Sequence, residues 1–589
     1  MKLAVGLGCV LAACSFSPLG VGPPETTVTV TDDSAADFAA HDQLVGGVVT
    51  PWGSIEPDAF VPGGLHARAF AGEHVADADS YEDVALKVTS LLGESYRQLP
   101  ADWANDLRPS GLGLTSSDLF TVLYDGEVEL PLGIQQLELA ADDRAIVQIA
   151  SDGTTFGERL FAHNEAATIQ LDVRTAGWFP IRIAYSQGTG SAKLQLTIVQ
   201  GANRTPVDAS SLRVRVTDRP GLVAFGFASQ ILLDAHGETA VPTIDQTFSV
   251  VSPPYDLGLG LDFSLRHAGQ LRIDTAGEYT FRAEVGSDDQ YRASIDGELA
   301  VYDWSNSPQI PTATRTLAAG WHDFIVDYAD HAGDAQVRVL MSGPGLPEAV
   351  IDPAHLRPAV ASGLVAQFAQ AGDTPLADNT ITATDLTLDG PALGVVDSVD
   401  YGFGIKNHPF TDLTTELIAC GTSKQLPVAA TDPSTPTRFY FYGDVTCAGT
   451  PLIPPAPWKL QFTDSMVGNG NFFGPALFDP FVVASYHGGT RMPFARSVSF
   501  VSTPRPTPGA LRLAAIRVTG PTDGGRLEIA IRSAADADQL ASAPWEVVDN
   551  GRAPNQPASE LVQYQLTFAG DGWQYPVIDR VELDYVSLE

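Results

Sequence analysis

The chain has 589 residues, with 55 glycines, 42 prolines, and 71 acidic against 34 basic residues, for a formal net charge of −37. A single core rarely grows beyond about 250 to 300 residues, so this length implies three or four domains. The charge excludes nonspecific binding to nucleic acid or an anionic membrane surface by repulsion, and it makes cations the natural counterparts, although it serves equally well as a solubilising surface. With only 18% of residues charged and Val, Thr, Leu and aromatics recurring in short runs, the composition points to an all-β chain of sandwiches.

The first residues, Met1-Lys-Leu-Ala-Val-Gly-Leu-Gly-Cys-Val-Leu-Ala-Ala-Cys14, read as an export signal, because crossing a membrane needs roughly 20 apolar residues. Leu11-Ala-Ala-Cys14, closing the expected signal with lipobox over residues 1–14, resembles the bacterial lipobox, which implies that signal removal leaves Cys14 as the first residue, carrying lipid; an ordinary signal with an incidental cysteine is the alternative. Ser15 after Cys14 fits a surface-exposed place on the outer membrane, with the N-terminal lipid as the sole membrane contact. Residues 15–62, rich in Thr, Ala, Asp, Gly and Pro, are expected to form a flexible tether. Cys420 and Cys447 then remain, and two cysteines in an exported chain are expected to form one disulfide. No zinc or Cys-x-x-Cys spacing is present.

Residues 63–218 read as a β module with Asp118-Leu-Phe-Thr-Val-Leu-Tyr-Asp-Gly126, an elbow at Asp142-Asp143, and Trp178-Phe-Pro-Ile-Arg-Ile-Ala-Tyr185. An insertion from Ser80 to Asp106, with near-helical spacing over Tyr81–Leu92, is expected to carry one helix. Residues 219–360 repeat the plan: Asp262-Phe-Ser before Gly269, Gly277-Glu-Tyr-Thr-Phe281, the elbow Ser287-Asp-Asp289, Ile295-Asp-Gly297, Ala319-Gly-Trp-His322 and Gly343-Pro-Gly345. Alternation through Tyr279, Phe281, Ala283 and Val285, followed by the elbow and a second run, is a hairpin signal.

The parts of residues 219–360, in their order, resemble the PA14 domain family, and those of 63–218 resemble it more loosely. The resemblance implies tandem jelly-roll β-sandwiches. In sugar-binding members of that family, two adjacent aspartates joined by a cis peptide hold a Ca²⁺ that coordinates sugar hydroxyls. Asp288 and Asp289 match that motif, Asp142 and Asp143 match it in the first copy, and Asp303 and Asn306 are the nearest further oxygen donors. Calcium takes six to eight oxygen ligands, so paired carboxylates on one turn suit it. The competing reading is that these acids accept backbone N–H groups at a turn. Tyr291, Tyr302 and Trp304 are candidates to stack on a sugar face, with burial in the core as their competing reading.

Residues 361–490 read as a further β-rich domain holding the disulfide. Residues 491–589 end in Leu561-Val-Gln-Tyr-Gln-Leu-Thr-Phe568 and Val577-Ile-Asp-Arg-Val-Glu-Leu-Asp-Tyr585, similar to discoidin-like sandwiches. No nucleophile, zinc-protease or phosphate-loop signature occurs, so no catalysis is expected. The expected function is binding of glycan or extracellular polysaccharide; the alternative is a structural protein that binds an envelope protein partner and no small ligand.

Overall fold

The structure is a computed structural model that describes residues 27–587 except 51–52, 100–101, 104–107, 110, 202, 250–253, 261, 288, 304–311, 331–334, 370–372, 377–380, 389–393, 407–412, 427–436, 445–446, 453–455, 465–475, 489–491, 509–510, 521–524, 556–558 and 574. It is all-β, as expected, with sheets packed face to face. Two compact units divide the chain: residues 58–495 with 571–573 form the larger, while the smaller begins before Asp58 and is completed by 496–570 and the last strand.

The smaller unit corrects the tether expected over 15–62 for the described residues from Thr27 onward. Strand Thr27–Asp32 pairs with the final strand Arg580–Ser587, from Thr27 opposite Val586 to Asp32 opposite Val581, and His41–Val45 pairs with Ser497–Ser502. Thr-Val-Thr-Val-Thr has the period of a strand. Its apolar face, Val28 and Val30, packs on a core that includes Phe38, Phe500, Tyr564, Leu583 and Tyr585. The segment looked too poor in apolar residues to order itself because its partner strand lies at the other end of the chain. The sandwich expected over 491–589 therefore includes N-terminal strands.

In the larger unit, residues 222–357 form one sandwich. One sheet orders Ala235–Val241, Leu222–Phe227, Phe263–Ile273, Gly320–Asp330, Gln290–Ile295 and Glu298–Asp303; the other orders Asp245–Phe248, Ala335–Gly343, Gly277–Val285 and Thr312–Leu317. The expected hairpin is thus an arch, with Gly277–Val285 and Gln290–Ile295 in different sheets. Tyr279, Phe281 and Ala283 from one sheet and Tyr291, Ala293 and Ile295 from the other all enter one core, which a flat hairpin could not achieve.

Residues 65–215 repeat these pairings strand for strand. Phe120–Leu130 pairs with Gly177–Gln187, which pairs with Arg144–Ile149, while Gly133–Ala141 lies between Ala166–Val173 and Ala192–Gln200. Matching buried details accompany them. A Cβ on Gly126 would sit 2.7 Å from the Arg213 carbonyl, and one on Gly269 would sit 2.4 Å from that of Arg357. The Arg213 guanidinium lies 4.3 Å from the Trp178 ring, and that of Arg357 lies 4.0 Å from Trp321.

The helix of the insertion spans Tyr81–Lys87, closed by a Ser80–Asp83 capping box, and is shorter than the spacing over 81–92 suggests. Val88 is extended, and Leu91–Gln98 becomes a strand beside Leu65–Ala71. Tyr81 and Val84 pack against Phe70, Leu123, Ile146 and Ala184 on the outer face of the larger sheet.

Residues 364–488 form a third sandwich, with strands Gly394–Lys406 and Ala476–Gly488 at its centre and the Cys420–Cys447 disulfide against its core. Phe481 and Val483 pack against Phe227 and Leu232, joining it to the middle sandwich.

Candidate functional site

The arch between the two sheets must satisfy backbone groups that have left their ladders, and a short side chain with two acceptor oxygens does this. Asp289 is fully buried there. Its Oδ2 accepts from the Tyr328 hydroxyl at 2.7 Å, from Gly286 N–H at 2.7 Å and from Gln336 N–H at 3.2 Å. Gly286 admits nothing larger, because a Cβ would lie 2.4 Å from that oxygen.

Asp289 Oδ1 is buried and has no hydrogen-bond partner among the described residues. The carboxylate of Asp330, itself buried, lies within hydrogen-bonding reach of Asp289. Burial pushes the Asp289 carboxyl above its usual range, and the donors Tyr328, Gln336 and Gly286 offset this only in part. Burial and the neighbouring Asp289 charge push the Tyr328 hydroxyl far up, so it stays a donor.

Two adjacent buried carboxylates with one unserved oxygen can take up a proton or a hard cation. Calcium prefers oxygen donors of this kind, and Asp289 Oδ1 is the atom that fits it. Oδ2 is already committed to protein donors. Among the described residues, no group of three or more His, Cys, Asp or Glu is placed to hold a metal ion.

The other expected site residues fall differently. Asp288, and with it the 288–289 linkage, lies outside the described residues, as do Trp304, Asn306 and Cys14. Tyr302 and Asp303 belong to strand Glu298–Asp303, where Asp303 pairs with Tyr291, but their side chains lie outside the described residues. Tyr291 is 1% exposed inside the core, so its expected role against a sugar is corrected: strand alternation places it with Ala293 and Ile295.

In the first sandwich the elbow is built otherwise. Asp143 is half-buried and its Oδ2 accepts from Gly188 N–H at 2.6 Å; Asp142 is also half-buried. Tyr185, at the position of Tyr328, accepts from Lys193 N–H at 3.3 Å and donates to Gln187. Gln187 occupies the place of Asp330, so this elbow keeps Asp142 and Asp143 but has no counterpart of the Asp330 carboxylate.

A buried charge network that no motif in the sequence announces lies on the outer face of the middle sandwich. Asp327 takes both Arg266 (2.6 and 2.8 Å) and Arg292 (2.6 Å), and Arg292 grips Asp400 of the third sandwich at 2.9 and 2.7 Å. Arg266 also donates to the Gly363 carbonyl at 2.8 Å and to Ser485 Oγ at 3.0 Å. Burial works against the charged form of Asp327, yet Arg266 and Arg292 hold its carboxyl at about 2. Charged residues at strand positions where the first copy has Leu123, Ile146 and Ala184 were the available signal.

The PA14 domain family model matches residues 230–353, within the middle sandwich. No curated protein matches the chain. Similar solved structures include an anti-sigma factor domain-containing protein from Clostridium clariflavum, 19% identical over 50% of this chain and 99% of that chain, TM-score 0.22. A PA14 sugar-binding domain from RTX adhesin is 20% identical over 24% of this chain and 98% of its own, TM-score 0.21. The Epithelial Adhesin 6 A domain from Candida glabrata, in complex with Galb1-3GlcNAc, is 15% identical over 26% of this chain and 88% of its own, TM-score 0.22.

Proposed function

We propose that this chain binds carbohydrate without catalysis, as an adhesion module at the cell surface, with the PA14 domain of residues 230–353 as its binding part and residues 63–218 as a diverged second copy. The single observation behind this is the buried Asp289 carboxylate, whose Oδ1 accepts no hydrogen bond among the described residues, beside Asp330 at the arch of that domain. Asp289, Asp330 and Asp288 would hold a calcium ion. The ion supplies open coordination positions that vicinal sugar hydroxyls can fill. Gly286, Gln336 and Tyr328 orient the carboxylate by fixing Oδ2 and leaving Oδ1 to the ion. Lipid attachment at Cys14 would tether the protein to an envelope, in keeping with this role.

A glycan array probed with the full chain, with and without chelator, tests the reading alongside calcium calorimetry. Chelator-sensitive glycan binding and calcium uptake, both lost in Asp289→Asn, are expected; an array silent in both buffers, with no calcium heat, removes the proposal. A second reading, a structural protein with a protein partner, is favoured by the buried Arg266–Asp327–Arg292–Asp400 network, which holds the middle and third sandwiches as one body. Affinity capture of one stoichiometric protein, indifferent to chelator and to competing sugars, would support it.

A further inference from the structure

Two strand irregularities lie beside the place where the middle and third sandwiches meet. In the third sandwich, Val396 pairs with Tyr486 and Ser398 with Ser485, so Asp397 is an extra residue in its strand. In the middle sandwich, Ala293 pairs with Val301 and Ser294 with Leu299, so Ala300 is extra. Such bulges re-aim side chains and gather beside functional sites. Between them lies a cavity of about 120 Å³, lined by Ser294, Leu299, Ile325, Asp397, Ser398 and Ser485, with the Arg266–Asp327–Arg292 network along its wall.

The chemistry of the lining selects among ligands. Asp397 Oδ1 accepts from His487 Nδ1 at 2.5 Å, which fixes the carboxylate, while its Oδ2 is buried without a hydrogen-bond partner among the described residues. Ser485 Oγ accepts from Arg266, which leaves its hydroxyl proton to donate. Arg266 and Arg292 are neutralised by Asp327 and Asp400, so the wall offers no net attraction to an anion. Leu299 and Ile325 add apolar surface to the lining, with Ile325 the cross-strand partner of Ser294. A ligand that suits this lining is neutral, rich in hydroxyls, and apolar on one face. The volume is several times the roughly 10–15 Å³ that one water requires, the size class of a single sugar ring.

We propose that this junction cavity receives one hexose unit, such as the end of a saccharide chain, with a hydroxyl donating to Asp397 Oδ2 and the serines donating to ring or hydroxyl oxygens. The proposal rests on the carbohydrate reading for its ligand class, but it needs no calcium and lies apart from the Asp289 arch.

Saturation-transfer NMR of the full chain with free glucose, galactose and mannose, in chelator, tests it. At least one of the three should bind saturably; Asp397→Asn should weaken it about tenfold or more, and Ser294→Ala about threefold. Ser294→Ala removes one hydroxyl and keeps the question open should Asp397→Asn misfold. No binding by any of the three, or binding unchanged in a folded variant, overturns the proposal. Chelator-sensitive array binding without this signal would discard the cavity and keep the arch, and a chelator-resistant signal with a calcium-indifferent array would do the reverse.

Discussion

The first and middle sandwiches pair their strands in the same order but cover the outer face of the larger sheet by opposite means. In the first, Leu123, Ile146 and Ala184 lie under a helix from their own module. In the middle one, the same three positions hold Arg266, Arg292 and Asp327, and the third sandwich closes over them through Asp400 and Ser485. An apolar patch accepts any cover of suitable shape. Guanidinium forks accept few geometries, and buried ion pairs contribute little net stability. The difference teaches that one scaffold can be finished privately or be committed to a particular neighbour by changing three side chains.

The sharpest way to break this comparison is Asp327→Ala. It leaves Arg266 and Arg292 without their shared carboxylate, and the expected cost is about 3–5 kcal/mol in denaturant unfolding of the larger unit; a cost below about 1 kcal/mol would mean the network is incidental. Acid is the next lever. The Asp327 carboxyl is held at about 2, so its contribution is complete above the ordinary carboxylate value and is lost as pH falls through about 2. Pepsin digestion over that window should cut around residues 363–400 before it cuts around 81–87. On the apolar side, Val84→Ala should cost about 2 kcal/mol and Ser80→Ala about 1 kcal/mol, with faster hydrogen exchange confined to the first sandwich.

The smallest effect sharpens the contrast between the two elbows. The raised Asp289 carboxyl makes its ionised form costly at neutral pH, a cost that disappears as pH falls through its folded value. In chelator, Asp289→Asn should therefore be neutral or stabilise by about 1 kcal/mol or less at pH 7, with the gain vanishing in acid. Asp143→Asn, which can still accept from Gly188 N–H through its amide oxygen, should change stability by about 1 kcal/mol or less. Thermal melts across pH check both.

Strand existence was legible because alternation and glycine punctuation are local: Gly277–Val285, Gly320–Asp330 and Thr437–Asp444 lie where period-two runs place them. The acid at the elbow was legible too, and so was its competing role of accepting amides, which Oδ2 performs while Oδ1 does not. What failed was whatever depended on a distant partner. Thr27–Asp32 reads as tether until Arg580–Ser587 is beside it, and Gly277–Val285 with Gln290–Ile295 reads as a hairpin until the second sheet is known. Tyr291 shows a different limit: period two puts it on the same side as Ala293 and Ile295, but which side is inward follows only from the opposing sheet. The Arg292–Asp400 contact joins two modules and leaves no spacing to read.

The pairing of Thr27–Asp32 with Arg580–Ser587 has a consequence for synthesis. Domains usually fold as they leave the ribosome, beginning with the first made. Here the earliest described strands must wait, edges unpaired, until the whole larger unit and then the final residues have emerged. Closing so long an intervening loop adds little entropy cost once it is folded, but the delay exposes Val28, Val30 and Leu44 to other chains. Nascent chains arrested before residue 496 should therefore be cleaved by protease within 27–57 while residues 63–360 resist, and release of the full chain should abolish that sensitivity.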